Sequence, residues 1–171
     1  MSKKIAYQSP EFYYSYEFPI GMIHIAEDLD GICDISFKNE FEEIATKKET
    51  ALIKKTAAQL KEYFAGKRRS FTIKISTHGT AFQEEVWRQL QQIPYSETRS
   101  YGEIAALCNN PKASRAVGMA NNKNRISILI PCHRVIGKDR KLVGYAGGLE
   151  IKKYLLTLEE NAASRPRSKY E

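Results

Sequence analysis

Cysteine and long apolar runs are scarce in this sequence. The three cysteines, Cys33, Cys108 and Cys132, are widely spaced and odd in number, which does not suit a disulfide framework and favours a reducing compartment, the cytoplasm. No run approaches the roughly 18 apolar residues that cross a bilayer, and residues 1–10 lack the apolar core of a signal peptide. These absences lead us to expect a soluble protein that is not exported.

Histidine is as scarce as cysteine, and its spacing is not that of a metal site. His24, His78 and His133 form no paired pattern with each other or with the cysteines, and the consecutive residues Cys132 and His133 are awkward ligands for one ion. The glycine-rich segment 144–148 lacks the lysine-serine ending of a phosphate loop, and no nucleotide-binding strand pattern precedes it. We therefore expect no metal and no cofactor, and interpret segment 144–148 as a flexible wall.

Acidic residues are outnumbered by basic ones, and the imbalance lies in the C-terminal half. The whole chain carries 27 Lys and Arg against 20 Asp and Glu. Residues 1–78 hold 12 basic and 11 acidic side chains, whereas residues 79–171 hold 15 and 9. A polyanion would therefore meet the C-terminal half. The alternative is a basic surface that serves only solubility.

The first half predicts a small antiparallel sheet followed by a helix. Tyr, Phe and Ile dominate three segments, 12–17, 20–26 and 32–37, which are separated by turn residues. From Glu49 the apolar residues instead recur every three or four positions, as in an amphipathic helix that ends at Gly66. One further strand is expected at the alternating residues Phe71, Ile73 and Ile75.

The second half predicts a helical domain in which two helices open with capping boxes. The pattern at 80–83 begins a helix that ends at Pro94, and the pattern at 100–103 begins a short helix that residues 109–111 stop. Another helix over 113–122 follows this tight turn. Such a pair is the outline of a helix-turn-helix, and small residues on the second helix permit close approach to a partner. An ordinary helical hairpin gives the same pattern.

An apolar run and a last helix complete the chain. Residues 126–130 are typical of a short strand, and residues 149–160 are expected to form the final helix, followed by a flexible tail over 161–171. We therefore predict an α+β fold with two domains. Residues 1–78 form a small N-terminal domain of antiparallel sheet plus helix, and residues 79–160 form a mostly helical C-terminal domain with a helix-turn-helix.

Cys132 differs from the other two cysteines, which we interpret as packed core residues. Pro131 fixes the backbone before it. Basic side chains that favour a thiolate, the nucleophilic form of cysteine, follow at Arg134, Lys138 and Arg140. Cys132 is therefore the candidate nucleophile, although a cysteine between an apolar run and a histidine is more commonly a core residue.

The residues that could activate this thiol are His133 and Glu159. The adjacent imidazole of His133 can take the thiol proton, directly or through a water, and a carboxylate would orient that imidazole and support its charged form. Glu159 lies four residues after Leu155, on or beside the packed stripe of the last helix. A solvated glutamate at a helix end is the alternative for Glu159.

The stretch from Pro131 to Val135, preceded by Ile128-Leu129-Ile130, resembles the active-site signature of the O6-alkylguanine-DNA alkyltransferases, also called methylated-DNA:protein-cysteine methyltransferases. The likeness runs from Phe82 to Glu159 in the family's order and spacing, through further segments at 101–105, 115–118, Asn124 and 144–149. The N-terminal half matches only in outline, as a variable sheet-and-helix domain. Residues 144–146 resemble the bacterial form, and the zinc ligands of the animal enzyme have no counterpart.

This resemblance implies DNA repair by one direct displacement. The family's cysteine thiolate attacks the alkyl carbon on guanine O6 and keeps the group as a thioether, so each protein acts once; O4-alkylthymine is a further expected substrate. By this likeness Cys132 is the acceptor, His133 the water-mediated base and Glu159 the carboxylate that holds His133. Tyr101 resembles the tyrosine whose hydroxyl serves N3 of the leaving guanine. A tyrosine in the first turn of an exposed helix is the alternative.

The resemblance also implies a DNA interface that recognises damage rather than sequence. In the family the second helix enters the minor groove, and Arg115 matches the residue that fills the stack left by the flipped nucleotide. Tyr101 matches the residue that crowds the target's phosphate. Ala116 and Lys123 are the other expected contacts with DNA. Binding to double-stranded DNA should be salt-sensitive and nearly independent of sequence.

Residues of the base pocket follow from the resemblance as well. Asn124 matches the asparagine that braces the turn between the second helix and the active-site strand. Backbone groups near Val135 and Ala146 would frame the edge of the base, and Tyr145 belongs to the same pocket. Many members carry proline after that asparagine, where this chain has Arg125, so we expect a looser turn and an extra cation near DNA.

Two other classes of function fit parts of the sequence. A helix-turn-helix DNA-binding regulator with a structural cysteine would select a sequence and would not need Cys132. A cysteine hydrolase built on Cys132, His133 and Glu159 would turn over many small substrates without DNA. The presence of Cys132 argues against the non-catalytic lesion-binding relatives, which replace the acceptor cysteine. No membrane and no obligate protein partner are expected.

Overall fold

The computed structural model describes residues 9–164, and its N-terminal half begins with a small sheet. Its first three strands are β1 (Phe12–Phe18), β2 (Gly21–Glu27) and β3 (Ile32–Ser36). They pair antiparallel in sequence order, as the alternating pattern predicted. A two-residue strand, β4 (Thr46–Lys47), adds parallel to β1 and was missed, because two residues carry no periodicity.

Helix α1 (Ala51–Phe64) covers one face of this sheet. The Thr50 hydroxyl caps it by accepting a hydrogen bond from the backbone N–H of Ile53 at 3.2 Å. The predicted apolar stripe is buried, and so is Tyr63, which lies three residues after Leu60 on the same face. Tyr63 is thereby directed toward the C-terminal half.

The strand predicted at residues 71–75 is wrong. Only Ile75 forms a bridge, to Ile32 of β3, and the rest of the segment has no ladder. Side chains of α1 form hydrogen bonds with the backbone of this segment instead. The Thr72 N–H donates to the Gln59 side chain at 2.9 Å, and Lys55 Nζ donates to the Thr72 carbonyl at 3.2 Å. These local partners replace the bonds that a neighbouring strand would have made.

Helices α2 (Ala81–Gln91), α3 (Tyr101–Leu107) and α4 (Ser114–Asn122) form the C-terminal half as predicted. Both predicted capping boxes are present, at the starts of α2 and α3. Helix α4 packs against α2 and α3, which completes the helix-turn-helix. The predicted α+β architecture is therefore confirmed.

Trp87, the single tryptophan of the chain, joins α2 to α4. It is buried, and its indole N–H donates to the Ala120 carbonyl at 2.9 Å. The ring lies so close to Gly79 that a Cβ at that position would sit 2.5 Å from it. Glycine at residue 79 is therefore a packing requirement of the segment that enters α2.

The apolar run 126–130 is a buried turn and not the expected strand. Ile128 has a φ of 72°, which is unusual for a β-branched residue, and the Ile130 N–H bonds to the Ile126 carbonyl at 3.0 Å. Ile126 forms a parallel bridge with Ile35 of β3. The run is apolar because it is enclosed between the two halves of the molecule. Alternation in the sequence cannot distinguish such a turn from a strand.

The final helix, α5 (Leu149–Ser164), extends four residues beyond its predicted end at Glu160. The first part of the predicted tail is therefore helical, and residues 165–171 lie outside the described residues. A two-stranded parallel sheet connects β5 (Arg99–Ser100) to β6 (Val135–Ile136). Within residues 9–164 no helix has the length and apolarity needed to span a membrane.

Candidate active site

Cys132 begins a single 3-10 turn, Cys132–Arg134, which leads directly into β6. Its side chain is buried, and burial raises the pKa of the thiol to about 11. A hydrogen bond from Asn124 and the positive charge of Lys152 act in the opposite direction. The thiol is therefore protonated at rest, and its proton must be removed before it can act as a nucleophile.

The basic residues expected to favour the thiolate do not do so. The Arg134 guanidinium turns away to Glu159, while Lys138 and Arg140 are exposed. The cation that lowers the pKa of Cys132 is instead Lys152 of α5, twenty residues further along the chain. The prediction was wrong because sequence neighbours after a sharp turn point in different directions.

His133 and Glu159 form a fully buried pair, with Nε2 of the imidazole 2.7 Å from Oε1 of the carboxylate. A carboxylate can only accept, so Nε2 carries the proton and Nδ1 has the free lone pair. Nδ1 is buried and has no hydrogen-bond partner among residues 9–164. Burial lowers the pKa of His133 against the opposing influence of Glu159. The imidazole is therefore neutral, with Nδ1 as its basic atom.

Glu159 accepts hydrogen bonds from four residues. Besides His133, the Tyr63 hydroxyl donates to Oε1 at 2.7 Å, and the Ser96 backbone N–H donates to Oε2 at 3.0 Å. Arg134 binds both oxygens, at 3.0 and 2.9 Å. Burial alone would raise the pKa of Glu159, but the bonds from His133 and Arg134 outweigh it and hold that pKa well below its usual range. Glu159 is thus a fixed anion and not the alternative solvated helix-end residue.

Lys152 is fully buried and lies three residues before Leu155, on the same face of α5. Its Nζ donates to three backbone carbonyls, those of Val135 at 2.5 Å, Val143 at 2.8 Å and Gly144 at 3.3 Å. Burial lowers its pKa to about 8, although the Cys132 thiolate would raise it. Lys152 therefore connects the strand after the active-site turn to the glycine-rich loop and places a cation beside the thiol.

Tyr101, the first residue of α3, reaches that same loop. Its hydroxyl donates to the Val143 carbonyl at 3.1 Å, an acceptor it shares with Lys152. Burial raises the pKa of the phenol, and the negative charge on Cys132 adds to this effect. The hydroxyl is therefore a neutral donor at the mouth of the site. This contact distinguishes it from a tyrosine that merely occupies an exposed first turn.

Asn124 braces the active-site turn from the side of α4. Its amide nitrogen donates to the Ile130 carbonyl at 2.9 Å, and its amide oxygen accepts from the Ile126 N–H at 3.0 Å. Both bonds hold the buried turn that leads from α4 to Cys132. Of the other expected pocket residues, Val135 is buried and Ala146 is exposed.

Tyr145 and Gly147 of the glycine-rich loop contact the N-terminal half. The Tyr145 ring centroid lies 6.0 Å from that of Phe37, and a Cβ on Gly147 would approach the Phe37 ring to 2.8 Å. The predicted wall of the pocket is thus packed against another part of the protein. Glycine is required at residue 147 because the Phe37 ring leaves no room for a Cβ.

The DNA-contact residues expected in α4 and directly after it lie on the solvent side. Arg115, Ala116 and Lys123 are exposed, whereas Val117 and Ala120 face the core. Met119, one turn after Arg115, is exposed as well. The helix therefore presents a face of mostly small residues with long side chains at intervals. Such a face can enter a narrow groove.

Three residues of this site were missed in the sequence: Tyr63, Lys152 and, as a partner of Glu159, Arg134. The inward face of α5 carries residues 152, 155, 159 and 162, so two of its four members are charged. A search for apolar residues at helical spacing selects Ile151, Leu155 and Leu158 instead, and so passes over Lys152. Lys152 and Glu159 are seven residues apart, with Leu155 between them at spacings of three and four, and this helical spacing was the signal that could have identified Lys152.

No group of three or more His, Cys, Asp or Glu side chains that could hold a metal ion occurs in the part of the chain that the structure describes. The cysteines at 33, 108 and 132 are unpaired. The groups assembled around the thiol are a neutral imidazole, a carboxylate, a phenol and a lysine. They are suited to proton transfer and to stabilising charge.

Both halves of the chain match models of one protein family. Residues 81–161 match the 6-O-methylguanine DNA methyltransferase, DNA binding domain, and residues 12–77 match the 6-O-methylguanine DNA methyltransferase, ribonuclease-like domain. The two matches together cover most of the chain.

Individual relatives give the same result over nearly their full lengths. The chain is 48% identical to the methylated-DNA–protein-cysteine methyltransferase of Methanosarcina acetivorans, over 86% of this chain and 97% of that protein. It is 46% identical to the constitutive enzyme of that name from Bacillus subtilis, over 86% and 94%. The crystal structure of Mycobacterium tuberculosis OGT in complex with DNA matches with a TM-score of 0.83 and 41% identity, over 88% of this chain and 94% of that one.

Proposed function

The chain belongs to the 6-O-methylguanine DNA methyltransferase family, and we propose that Cys132 is the residue to which it transfers the alkyl group. The activity is DNA repair by transfer of an alkyl group from the damaged base to a cysteine of the protein. The observation that carries the assignment is the buried pair of His133 and Glu159, 2.7 Å apart, on the turn that begins with Cys132.

The proton of the thiol has a defined acceptor in this proposal. Glu159 keeps the proton of His133 on Nε2, so Nδ1 takes the Cys132 proton through one water. Glu159 then stabilises the imidazolium, and Lys152 stabilises the thiolate. The thiolate sulfur attacks the alkyl carbon on guanine O6; the carbon–sulfur bond forms as the carbon–oxygen bond breaks, and the electron pair stays with the base.

The leaving guanine needs a proton, and Tyr101 supplies it at N3. Its phenol is neutral, since burial and the nearby cysteine raise its pKa. In the structure this proton lies in the hydrogen bond to the Val143 carbonyl, so that bond breaks as the hydroxyl turns to N3, and solvent then returns a proton to the phenolate. Backbone groups near Val135 and Ala146, with the Tyr145 ring, frame the edge of the base. O4-alkylthymine is a second substrate of the same pocket.

Helix α4 is the element proposed to meet double-stranded DNA in its minor groove. Arg115 fills the space of the flipped nucleotide, and Ala116 and Lys123 contact the groove and the backbone. A target base inside a duplex is out of reach, and its extrusion costs a few kcal/mol of stacking, less at a weakened pair. Phosphate contacts give affinity without sequence preference, so binding falls as salt rises.

The experiment that tests the proposal follows the protein's mass. The protein is mixed with excess duplex carrying one O6-methylguanine, and the intact protein is weighed and fragmented. We expect a gain of one methyl group on Cys132, with no gain on undamaged duplex. Cys108→Ser, which alters a half-buried cysteine elsewhere, should behave as wild type, whereas Cys132→Ser should gain nothing.

Other results identify the alternative functions. Tight lesion binding without a mass gain would mean a non-catalytic damage binder. Sequence-selective binding without lesion preference would mean a regulator. Repeated turnover of a small thioester or ester without DNA would mean a hydrolase.

Domain division and cellular location complete the proposal. We assign residues 1–78 to an N-terminal domain and residues 79–160 to the domain that binds DNA and transfers the group. The protein acts in the cytoplasm, where three unpaired cysteines remain reduced. Cell fractionation with an antibody against the chain tests this location.

A further inference from the structure

We propose that Asp34 and Arg125 are positioning residues for alkyl transfer, and that through them the N-terminal half holds the turn that carries Asn124 against the active site. The proposal rests on the function proposed above. The N-terminal sheet then contributes to the reaction indirectly, by holding the Asn124 turn in place.

Three contacts at one point fasten the Asn124 turn to strand β3. Arg125 Nε donates to Asp34 Oδ2 at 2.9 Å. The Ile35 N–H donates to the Arg125 carbonyl at 2.8 Å, and Ile35 forms a parallel bridge with Ile126. Main chain and side chain of Arg125 are thus bound by consecutive residues of the same strand. Such a double attachment fixes both the position and the rotation of the turn.

The attachment is one residue away from a group that acts on the thiol. Asn124 bonds to the main chain of Ile126 and Ile130, and its side chain lowers the pKa of Cys132. A turn that shifts at residue 125 therefore carries the Asn124 amide away from both the sulfur and the Ile130 carbonyl. The effect of the ion pair reaches the reaction through Asn124 and needs no direct contact with DNA.

The cost of the ion pair argues that it serves position rather than stability. The Asp34 side chain is only 7% exposed, whereas that of Arg125 is 47% exposed. Burial raises the pKa of Asp34 to about 6, even though Arg125 and its hydrogen bond lower it, and Glu40 adds to the increase. The free-energy cost of burying this carboxylate therefore exceeds the stabilisation that Arg125 provides. Because an ion pair with a buried carboxylate adds little net stability, we assign this one to fixing the position of the turn.

The position of Arg125 also bears on the expectation of an extra cation near DNA. Its Nε is held by a buried carboxylate of the sheet, so this nitrogen is already bonded before DNA arrives. A phosphate contact is the competing role, and it predicts a different result for the same variants. Loss of a phosphate contact weakens binding to every duplex and reduces the salt dependence.

Two single variants and their combination test the proposal: Asp34→Asn, Arg125→Ala and the double variant. Asp34→Asn keeps the shape of the side chain and removes the charge, and Arg125→Ala truncates a half-exposed residue, so neither leaves a cavity. The matched control is Arg68→Ala, which breaks the ion pair of Arg68 with Glu62 on the surface of the same half. Single-turnover methyl transfer is measured at saturating duplex, alongside the affinity for undamaged duplex.

A second readout does not depend on DNA. The rate at which iodoacetamide alkylates Cys132 is followed against pH, with the modified cysteine identified by mass. A merely structural role would lower the melting temperature and leave this pH profile unchanged.

We expect each single variant to slow methyl transfer by about tenfold, within the range of coupling carried by packed networks. The double variant should be no slower than the slower single variant, because both remove one contact. The midpoint of the Cys132 alkylation profile should move to higher pH, while the melting temperature of Asp34→Asn stays the same or rises. Arg68→Ala should leave all readouts unchanged.

Several results would overturn the proposal. Wild-type transfer rates in Asp34→Asn would do so, as would additive losses in the double variant. Weaker binding and a reduced salt dependence in Arg125→Ala, with normal transfer at saturation, would assign Arg125 to a phosphate contact. If wild-type protein fails to accept methyl from DNA, the proposed function is wrong, and the alkylation profile still decides whether this ion pair acts on Cys132.

Discussion

Replacing Glu159 with glutamine tests the centre of the site, because every group around that carboxylate is a donor. Oε1 accepts from His133, Tyr63 and Arg134, and Oε2 accepts from Arg134 and Ser96. Whichever way the amide is turned, its NH2 group faces donors that it cannot satisfy. The buried Arg134 also loses its counter-ion.

The size of both effects follows from this geometry. Breaking a buried ion pair by neutralising one partner costs about 3–5 kcal/mol. For a chain of this length that loss lowers the melting temperature by roughly 10 °C. The rate of methyl transfer should fall by about 10²–10⁴, the usual contribution of a positioned base, because Nδ1 of His133 is no longer held in its basic form.

The assay is single-turnover transfer from an O6-methylguanine duplex, measured below the unfolding range of the variant, together with a thermal melt. Glu160→Gln is the matched control, since Glu160 is the exposed neighbour on the same helix, and it should leave both readouts unchanged. If Glu159→Gln transfers methyl at the wild-type rate, the relay from Cys132 through His133 to Glu159 is refuted. A melting temperature equal to that of wild type would refute the assigned ion pair.

Four further predictions concern residues of the site and of the DNA-binding helix. Tyr101→Phe should slow transfer while leaving DNA affinity intact; an unchanged transfer rate would remove the phenol as proton donor. Arg115→Ala should slow repair of duplex more than reaction with the free base O6-methylguanine, and equal losses on both would count against a role in flipping. Lys152→Met should move the pH profile of Cys132 alkylation to higher pH, because the thiolate loses the cation beside it; a fixed profile would assign Lys152 to loop anchoring alone. The stability of the wild type should fall steeply as pH drops below about 4.5, since the pKa of Glu159 is lowered by folding and only the unfolded chain then binds the proton; urea titrations across this range would contradict the account by giving a constant free energy of unfolding.

Local signals in the sequence were sufficient for most of the regular elements. The strands β1 to β3 alternate in polarity, and the capping boxes at Thr80 and Ser100 mark where helices begin. Each of these signals acts within a few residues. They therefore do not depend on how the two halves meet.

The errors occur where a segment is held by contacts with another element of the fold. Residues 71–75 alternate in polarity as a strand does, but side chains of α1 form hydrogen bonds with the backbone N–H and carbonyl of Thr72. Residues 126–130 have the apolarity of a strand, but Ile128 takes a left-handed conformation inside a buried turn. In both cases a tertiary contact decides the conformation, and the periodicity of a single sequence carries no information about such contacts.

The candidate site was predictable to the extent that its chemistry lies on neighbouring residues. Cys132 and His133 are adjacent, and Glu159 follows Leu155 at helical spacing. Tyr63 was hidden because it occupies an apolar stripe of α1, where a phenol counts as a core residue. Lys152 was hidden because a charged residue on a packed face contradicts the hydrophobic pattern used to find that face.

The placement of Trp87 gives the protein an optical reporter in a useful position. A single indole emits against a background of ten tyrosines, so selective excitation isolates one residue. Its N–H is bound to the Ala120 carbonyl of the helix proposed to enter the groove. Any displacement of that helix, by a duplex or by an alkyl group added to the buried sulfur, would alter the polarity around the ring and shift its emission. Fluorescence from the unlabelled protein can thus time DNA docking and group transfer in one stopped-flow record.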